Sequence, residues 1–156
     1  MEFRGILRRV ASGAAVLVAV GATLMAPASA APAPEGEFGV NALFQIKHPN
    51  ANNCLDNGDG DVFLYMCDNA DSQQWNNYAP GRFRNDASGL CLASNGVKVF
   101  TMDCGTPSST WTTTSTNPKL LRHGVETSKC LTTKSSVAGR FAYMIDCAEA
   151  TRWVIS

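Results

Sequence analysis

The chain has 156 residues, 13 basic against 13 acidic side chains, 45% hydrophobic residues, six cysteines and three tryptophans. That length suits one domain with its own core and is too short for two comfortable ones. With no basic excess to neutralise a phosphate backbone, nucleic acid is excluded as an expected partner and anionic membrane surfaces are disfavoured.

Taken in chain order, residues 1–30 read as an export signal. Arg4, Arg8 and Arg9 give a positive start, an apolar Ala/Val/Leu-rich run follows from about Ala11 to Met25, and Ala26-Pro27-Ala28-Ser29-Ala30 closes it with small residues. Cleavage is expected after about Ala30. Gly21 and Thr23 interrupt the apolar run, so it reads as a signal rather than a retained anchor, and no membrane span is expected after processing. Loss of Glu2 and the three arginines turns 13 against 13 into 10 against 12, a net charge of −2 for a protein expected to be secreted and extracellular. Residues 31–41 form a Pro/Ala/Gly-rich tail expected to be extended. Its Phe38 and Val40 read either as part of a plain tail or as a partner-binding segment that adds to another protein's sheet edge or groove.

From residue 42 the chain repeats itself. Cys54-Leu55 to Cys67 to Trp75, Cys91-Leu92 to Cys104 to Trp111, and Cys130-Leu131 to Cys147 to Trp153 give one order three times, with first cysteines 37 and 39 residues apart. The units run over about 42–80, 81–117 and 118–156. Within them, Val62 to Met66, Val97 to Met102 and Phe141 to Ile145 are strand-like. Turn residues (Asn57-Gly58-Asp59-Gly60, Asn95-Gly96, Ala138-Gly139-Arg140) separate each run from the preceding Cys-Leu, the pattern of a hairpin. No segment has a helical period. An even cysteine count in an exported chain reads as disulfides, and the hairpins pair Cys54 with Cys67, Cys91 with Cys104 and Cys130 with Cys147. Three all-β units of this size are too few for a typical propeller, and a solenoid would leave ends needing caps, whereas three can close on themselves.

The Cys-Leu-Asp start, the strand ending in Cys and Gln73-Gln74-Trp75 resemble the Q-x-W repeat of ricin B-type lectins over roughly Asn41 to Ser156. The resemblance implies an all-β fold, a β-trefoil of three four-stranded repeats, with Trp75, Trp111 and Trp153 in a common core and one disulfide inside each repeat. It also implies a non-catalytic module whose ligand is a glycan of galactose type. Matched by position, the sugar site would take Asp56 as acceptor for sugar hydroxyls, Tyr65 as aromatic platform and Gln73 as amide. Phe63 stands where a glutamine is frequent and Ser72 where an asparagine is, which reduces hydrogen-bonding capacity. Tyr65 reads equally as a surface aromatic, and Asp56 equally as a cap on a local turn. The second repeat has Ala93 and Met102 at the acceptor and platform positions, the third Thr132 and Ile145, so neither is expected to bind sugar in this manner. A second reading follows from the same resemblance: trefoils with eroded repeats serve as non-catalytic subunits of secreted toxin assemblies, with other secreted proteins as partners. A protease-inhibitor trefoil fits less well, since no exposed inhibitory loop is recognisable.

The remaining chemistry is sparse. Asp56-Asn57-Gly58-Asp59-Gly60-Asp61 is acidic enough to suggest a calcium loop, but the template puts Val62 at its glycine and Asp68 at its bidentate glutamate, so a solvated hairpin tip is expected and no metal or other cofactor. His48 and His123, expected in surface loops, come with no spare cysteine and no G-x-S-x-G elbow, so no enzyme is expected.

Overall fold

Each repeat folds as a strand, a hairpin and a strand, because a turn signal follows each Cys-Leu segment and a short apolar run follows each turn. The computed structural model describes residues 41–156; the export signal with its cleavage site, and Phe38 and Val40, lie outside the described residues. The first repeat contains β1 (Leu43–Phe44), β2 (Ile46–Lys47), β3 (Asn53–Gly58), β4 (Asp61–Met66), a 3-10 turn at Asp71–Gln73 and β5 (Trp75–Ala79). The second contains β6 (Arg82–Asn85), β7 (Cys91–Ser94), β8 (Val99–Met102), a 3-10 turn at Pro107–Ser109 and β9 (Trp111–Thr113). The third contains β10 (Leu121–His123), β11 (Lys129–Thr133), β12 (Ala142–Asp146) and β13 (Val154–Ile155). β1 and β2 are one strand broken at Gln45, whose backbone exchanges hydrogen bonds with Ser156 and so ties the first strand to the last residue.

Nine strands form one sheet, in the order β1-β5-β6-β7-β8-β4-β3-β2-β13, and β12-β11-β10-β9 form the other. The bridges Phe63 to Phe141, Lys98 to Tyr143 and Lys119 to Trp153 join the two. The three hairpins meet in a ring. Leu64 N–H donates to Arg140 O (2.9 Å), Thr101 N–H to Gly60 O (2.9 Å) and Met144 N–H to Val97 O (2.9 Å). Each donor stands three residues before the second cysteine of its repeat, and each acceptor is in the turn region of another repeat. The first repeat thus donates to the third, the third to the second and the second to the first, which closes the expected β-trefoil.

Strand alternation sends Leu55, Val62 and Leu64 of the first hairpin inward, with Leu92 and Leu131 at matching places, around Trp75, Trp111 and Trp153; all eight are at most 1% exposed. A buried indole N–H needs an acceptor, and each finds one inside its own repeat: Trp75 Nε1 donates to Leu55 O (3.1 Å), Trp111 Nε1 to Leu92 O (2.8 Å) and Trp153 Nε1 to Leu131 O (3.0 Å). The three disulfides pair as expected, Cys54–Cys67, Cys91–Cys104 and Cys130–Cys147. The first hairpin turns on Asp59 (φ 52°) and Gly60 (φ 94°), positive at both central positions as an Asp-Gly turn favours.

Several residues sit elsewhere than expected: Gly58 ends β3 instead of lying in the turn, and Val97 lies in a bend before β8 instead of in the strand. Asn57 belongs to β3, not the turn, and is buried, with Oδ1 accepting from Thr101 Oγ1 (2.9 Å). His123 is 2% exposed on β10, not in a surface loop; Nδ1 accepts from the Glu126 N–H (3.2 Å) and Nε2 donates to Ser108 O (3.1 Å). Its neighbours in the third repeat's first strand carry the core, and this inward position is supplied by strand pairing that a short Leu-Arg-His run does not announce.

Replacing Trp111 by Phe keeps an aromatic ring in the core and leaves the Leu92 carbonyl without its donor. The expected loss is about 1–3 kcal/mol, read as a lower urea midpoint with an unchanged slope; an unchanged midpoint would show that the indole bond adds nothing.

His48, edge-on to Trp153 with ring centroids 5.9 Å apart, has its imidazole held below the ordinary value of 6.5 because burial penalises the charged ring. Between the folded and unfolded values the unfolded chain binds more protons. Stability is therefore complete above about pH 6.5 and falls as pH drops through that value toward the folded one. A His48→Gln variant is expected to show a shallower fall in urea midpoint on the acid side than the parent chain; identical pH profiles would contradict the assignment.

Candidate functional site

The outer face of the β3–β4 hairpin collects the residues that alternation turns away from the core. Register pairs Cys54 with Tyr65 and Asp56 with Phe63, and directly paired residues share a face, so Asp56, Phe63 and Tyr65 lie together. Tyr65 is 48% exposed, free to present its ring. Asp56 is buried and its Oδ2 accepts from Gln73 Nε2 at 3.0 Å. Among the described residues its Oδ1 receives no hydrogen bond, and Asp56 as a whole is 7% exposed.

Gln73 stands differently from the sequence expectation of a sugar-facing amide. It is fully buried, Nε2 also donates to Met66 O (2.9 Å), and Oε1 accepts the Asp68 N–H (3.1 Å). Both its donors and its acceptor are engaged with the protein, so its work is to hold the Asp56 carboxylate and the end of β4 in place. The 3-10 turn delivers it there: Gln73 N–H donates to Ala70 O (2.9 Å), Gln74 N–H to Asp71 O (3.1 Å), and Trp75, two residues on, enters the core. From the next repeat, Asn85 Nδ2 donates to Ser72 O (2.8 Å) and Gln74 O (3.2 Å), bracketing Gln73 on both sides. Matching repeats position by position could not find Asn85, because it acts across the repeat boundary.

The corresponding places in the other repeats do the same mechanical task with other groups. In the second, Ala93 offers no acceptor, and Arg82 Nη1 donates to Thr106 O (2.7 Å), to Cys104 O and to Ser109 Oγ. In the third, Thr132 Oγ1 meets Thr151 Oγ1 at 3.0 Å and accepts the Thr151 N–H at 3.2 Å. Neither leaves a carboxylate facing outward, and Met102 and Ile145 put no aromatic platform beside them.

Phe63 packs toward the hairpin tip. Its ring lies across Gly58, where an added Cβ would come within 2.6 Å of Cε1, so the glycine gives the ring a place nearer the hairpin tip. Asp59 and Asp61 are exposed at that tip, as expected of a solvated turn, while Asp56 is not part of it.

Replacing Gln73 by Leu removes the donor from a buried carboxylate and the acceptor from the Asp68 N–H. A loss of about 1–3 kcal/mol is expected, measured by urea denaturation. A neutral outcome would mean that the amide does not organise the site.

A family model described as the ricin-type beta-trefoil lectin domain matches residues 42–153. No curated protein matches the sequence. Among solved structures, a mosquitocidal holotoxin aligns at TM-score 0.64 and 18% identity over 74% of this chain, which spans 17% of that one. A ricin B-like lectin of Macrolepiota procera, in complex with lactose, aligns at 0.65 and 14% over 78% of this chain and 99% of its own. The C-half of the earthworm R-type lectin, in complex with GalNAc, aligns at 0.62 and 14% over 73% of this chain and 97% of its own. At these identities the likeness to solved structures carries the fold. The family match, running from the first strand to the third tryptophan over the closed three-repeat architecture, carries the membership: the chain belongs to the ricin-type beta-trefoil lectin family.

Proposed function

We propose that the chain is a secreted carbohydrate-binding module that binds through one site, on the outer face of the first hairpin, with no chemical step. The observation that carries this reading is the Asp56 carboxylate, with one oxygen clamped by Gln73 and the other without a hydrogen bond among the described residues, on the same face as an exposed Tyr65. A fixed carboxylate accepts hydrogen bonds from two neighbouring hydroxyls more strongly than a neutral group does. An exposed aromatic ring on the same face covers the apolar side of a pyranose. Holding the carboxylate before the ligand arrives reduces the ordering cost of binding, which suits a shallow site with few contacts. Gln73 contributes by position. A galactose-type ligand is supported by the lactose and GalNAc bound in the two lectins of the same fold. Location outside the cytoplasm is supported by the signal-like residues 1–30 together with three disulfides, which persist in oxidising compartments.

The purified chain is expected to be retained on lactose resin and displaced by free lactose. Asp56→Ala should abolish retention and Tyr65→Ala should weaken binding by about tenfold, both with an unchanged circular dichroism spectrum. Absence of binding to every sugar on a broad glycan array would overturn the proposal.

A further inference from the structure

Beside the carboxylate the outer face continues into another repeat, and what continues is apolar. Asp56 on β3 pairs with Phe63 on β4, and Phe63 in turn bridges to Phe141 of the third repeat, so the three lie in one row across three chain segments. Adjacent strands are about 4.8 Å apart, which puts Phe141 about 10 Å from Asp56 along the row. The position of Phe141 is well determined by backbone bonds: Leu64 N–H donates to Arg140 O at 2.9 Å and Gly139 N–H to Leu64 O at 2.6 Å. The Phe63 and Phe141 rings stand edge to face, with centroids 6.3 Å apart at 76°. Phe141 is nevertheless 63% exposed, a large aromatic left in water at the margin of a closed fold. The Phe63 ring lies against Gly58, toward the hairpin tip.

We infer that Phe63 and Phe141 form a second, apolar subsite continuous with the Asp56–Tyr65 site, and that it takes the apolar aglycone of a glycoside whose hydroxyls are held at Asp56. The inference rests on the carbohydrate-binding reading above and adds the class of ligand. A polar residue at position 63 would add a hydrogen bond to the sugar; phenylalanine exchanges that bond for an aromatic surface on the side of Asp56 toward the third repeat. Phe141, coming from a repeat without ligand groups of its own, doubles that surface. An edge-to-face pair offers an aryl group the ring arrangement that aromatic contacts prefer. The ligand preferred is therefore one with adjacent hydroxyls at one end and an aryl or alkyl group at the other, rather than a sugar that is polar all round.

The test compares methyl β-galactoside with 4-nitrophenyl β-galactoside by isothermal titration. The aryl glycoside is expected to bind about tenfold more tightly. Phe141→Ser should bring that ratio close to one, and Phe63→Gln should reduce it. Val97→Ser, which removes an equally exposed apolar side chain from the second repeat's turn, should leave it as it was. A ratio near one in the parent chain, or a ratio that Phe141→Ser does not change, would overturn the subsite while leaving the Asp56 site in place. Failure of both glycosides to bind would overturn both.

Discussion

The bond from each tryptophan indole to the carbonyl of the leucine after the first cysteine of its repeat is the constraint on which the remaining structure depends. It joins the end of a repeat to its beginning inside the core, where no water can replace either partner. Because a tryptophan can reach that carbonyl only if the hairpin between is folded back, the bond presupposes the hairpin. The disulfide across the same hairpin closes it from the outer side. Three such units, each clamped on both faces, meet through the ring of backbone bonds from Leu64, Thr101 and Met144. The barrel therefore closes without demanding one particular kind of fastening group on the outer face.

That independence explains how the repeats diverged in chemistry while remaining alike in shape. The short segment before each tryptophan must be fastened, and three fastenings are present: an amide against a carboxylate, an arginine across carbonyls and a serine, and a pair of threonines. All hold the same piece of chain. Only the first fastens with a carboxylate, a group that has a second oxygen to spare. At Asp56 a single oxygen does the fastening, by accepting from Gln73.

Much of this was legible in the residues. The order Cys-Leu, Cys, Trp recurs at a fixed local spacing, so the three hairpins and the disulfide pairs could be read directly, while the trefoil and the buried tryptophans were implied by the family resemblance. Asp56 and Tyr65 were named by matching positions to the resembled family, and the hairpin register then puts both on one face. Gln73 was found by the same rule, but its saturation by Asp56, Met66 and Asp68 depends on three-dimensional neighbours, and an offset says nothing about how many partners an amide will meet. Asn57 and His123 were misplaced because polar residues in short strands look like turns until a distant partner is known; Thr101 for the one, Ser108 for the other.

By itself, then, the sequence determined what repeats: three hairpins, three disulfides and three indoles, all properties of local spacing and of a core that tolerates few residue types. Tertiary structure alone decided what the repeats do to one another. It set Asn85 of the second against the turn of the first, 13 positions away, and it laid Phe141 of the third beside Phe63. Asn85 is placed by the β5–β6 hairpin, which crosses the repeat boundary, and Phe141 by the way the ring closes, a collective result of packing all three units that no single repeat encodes.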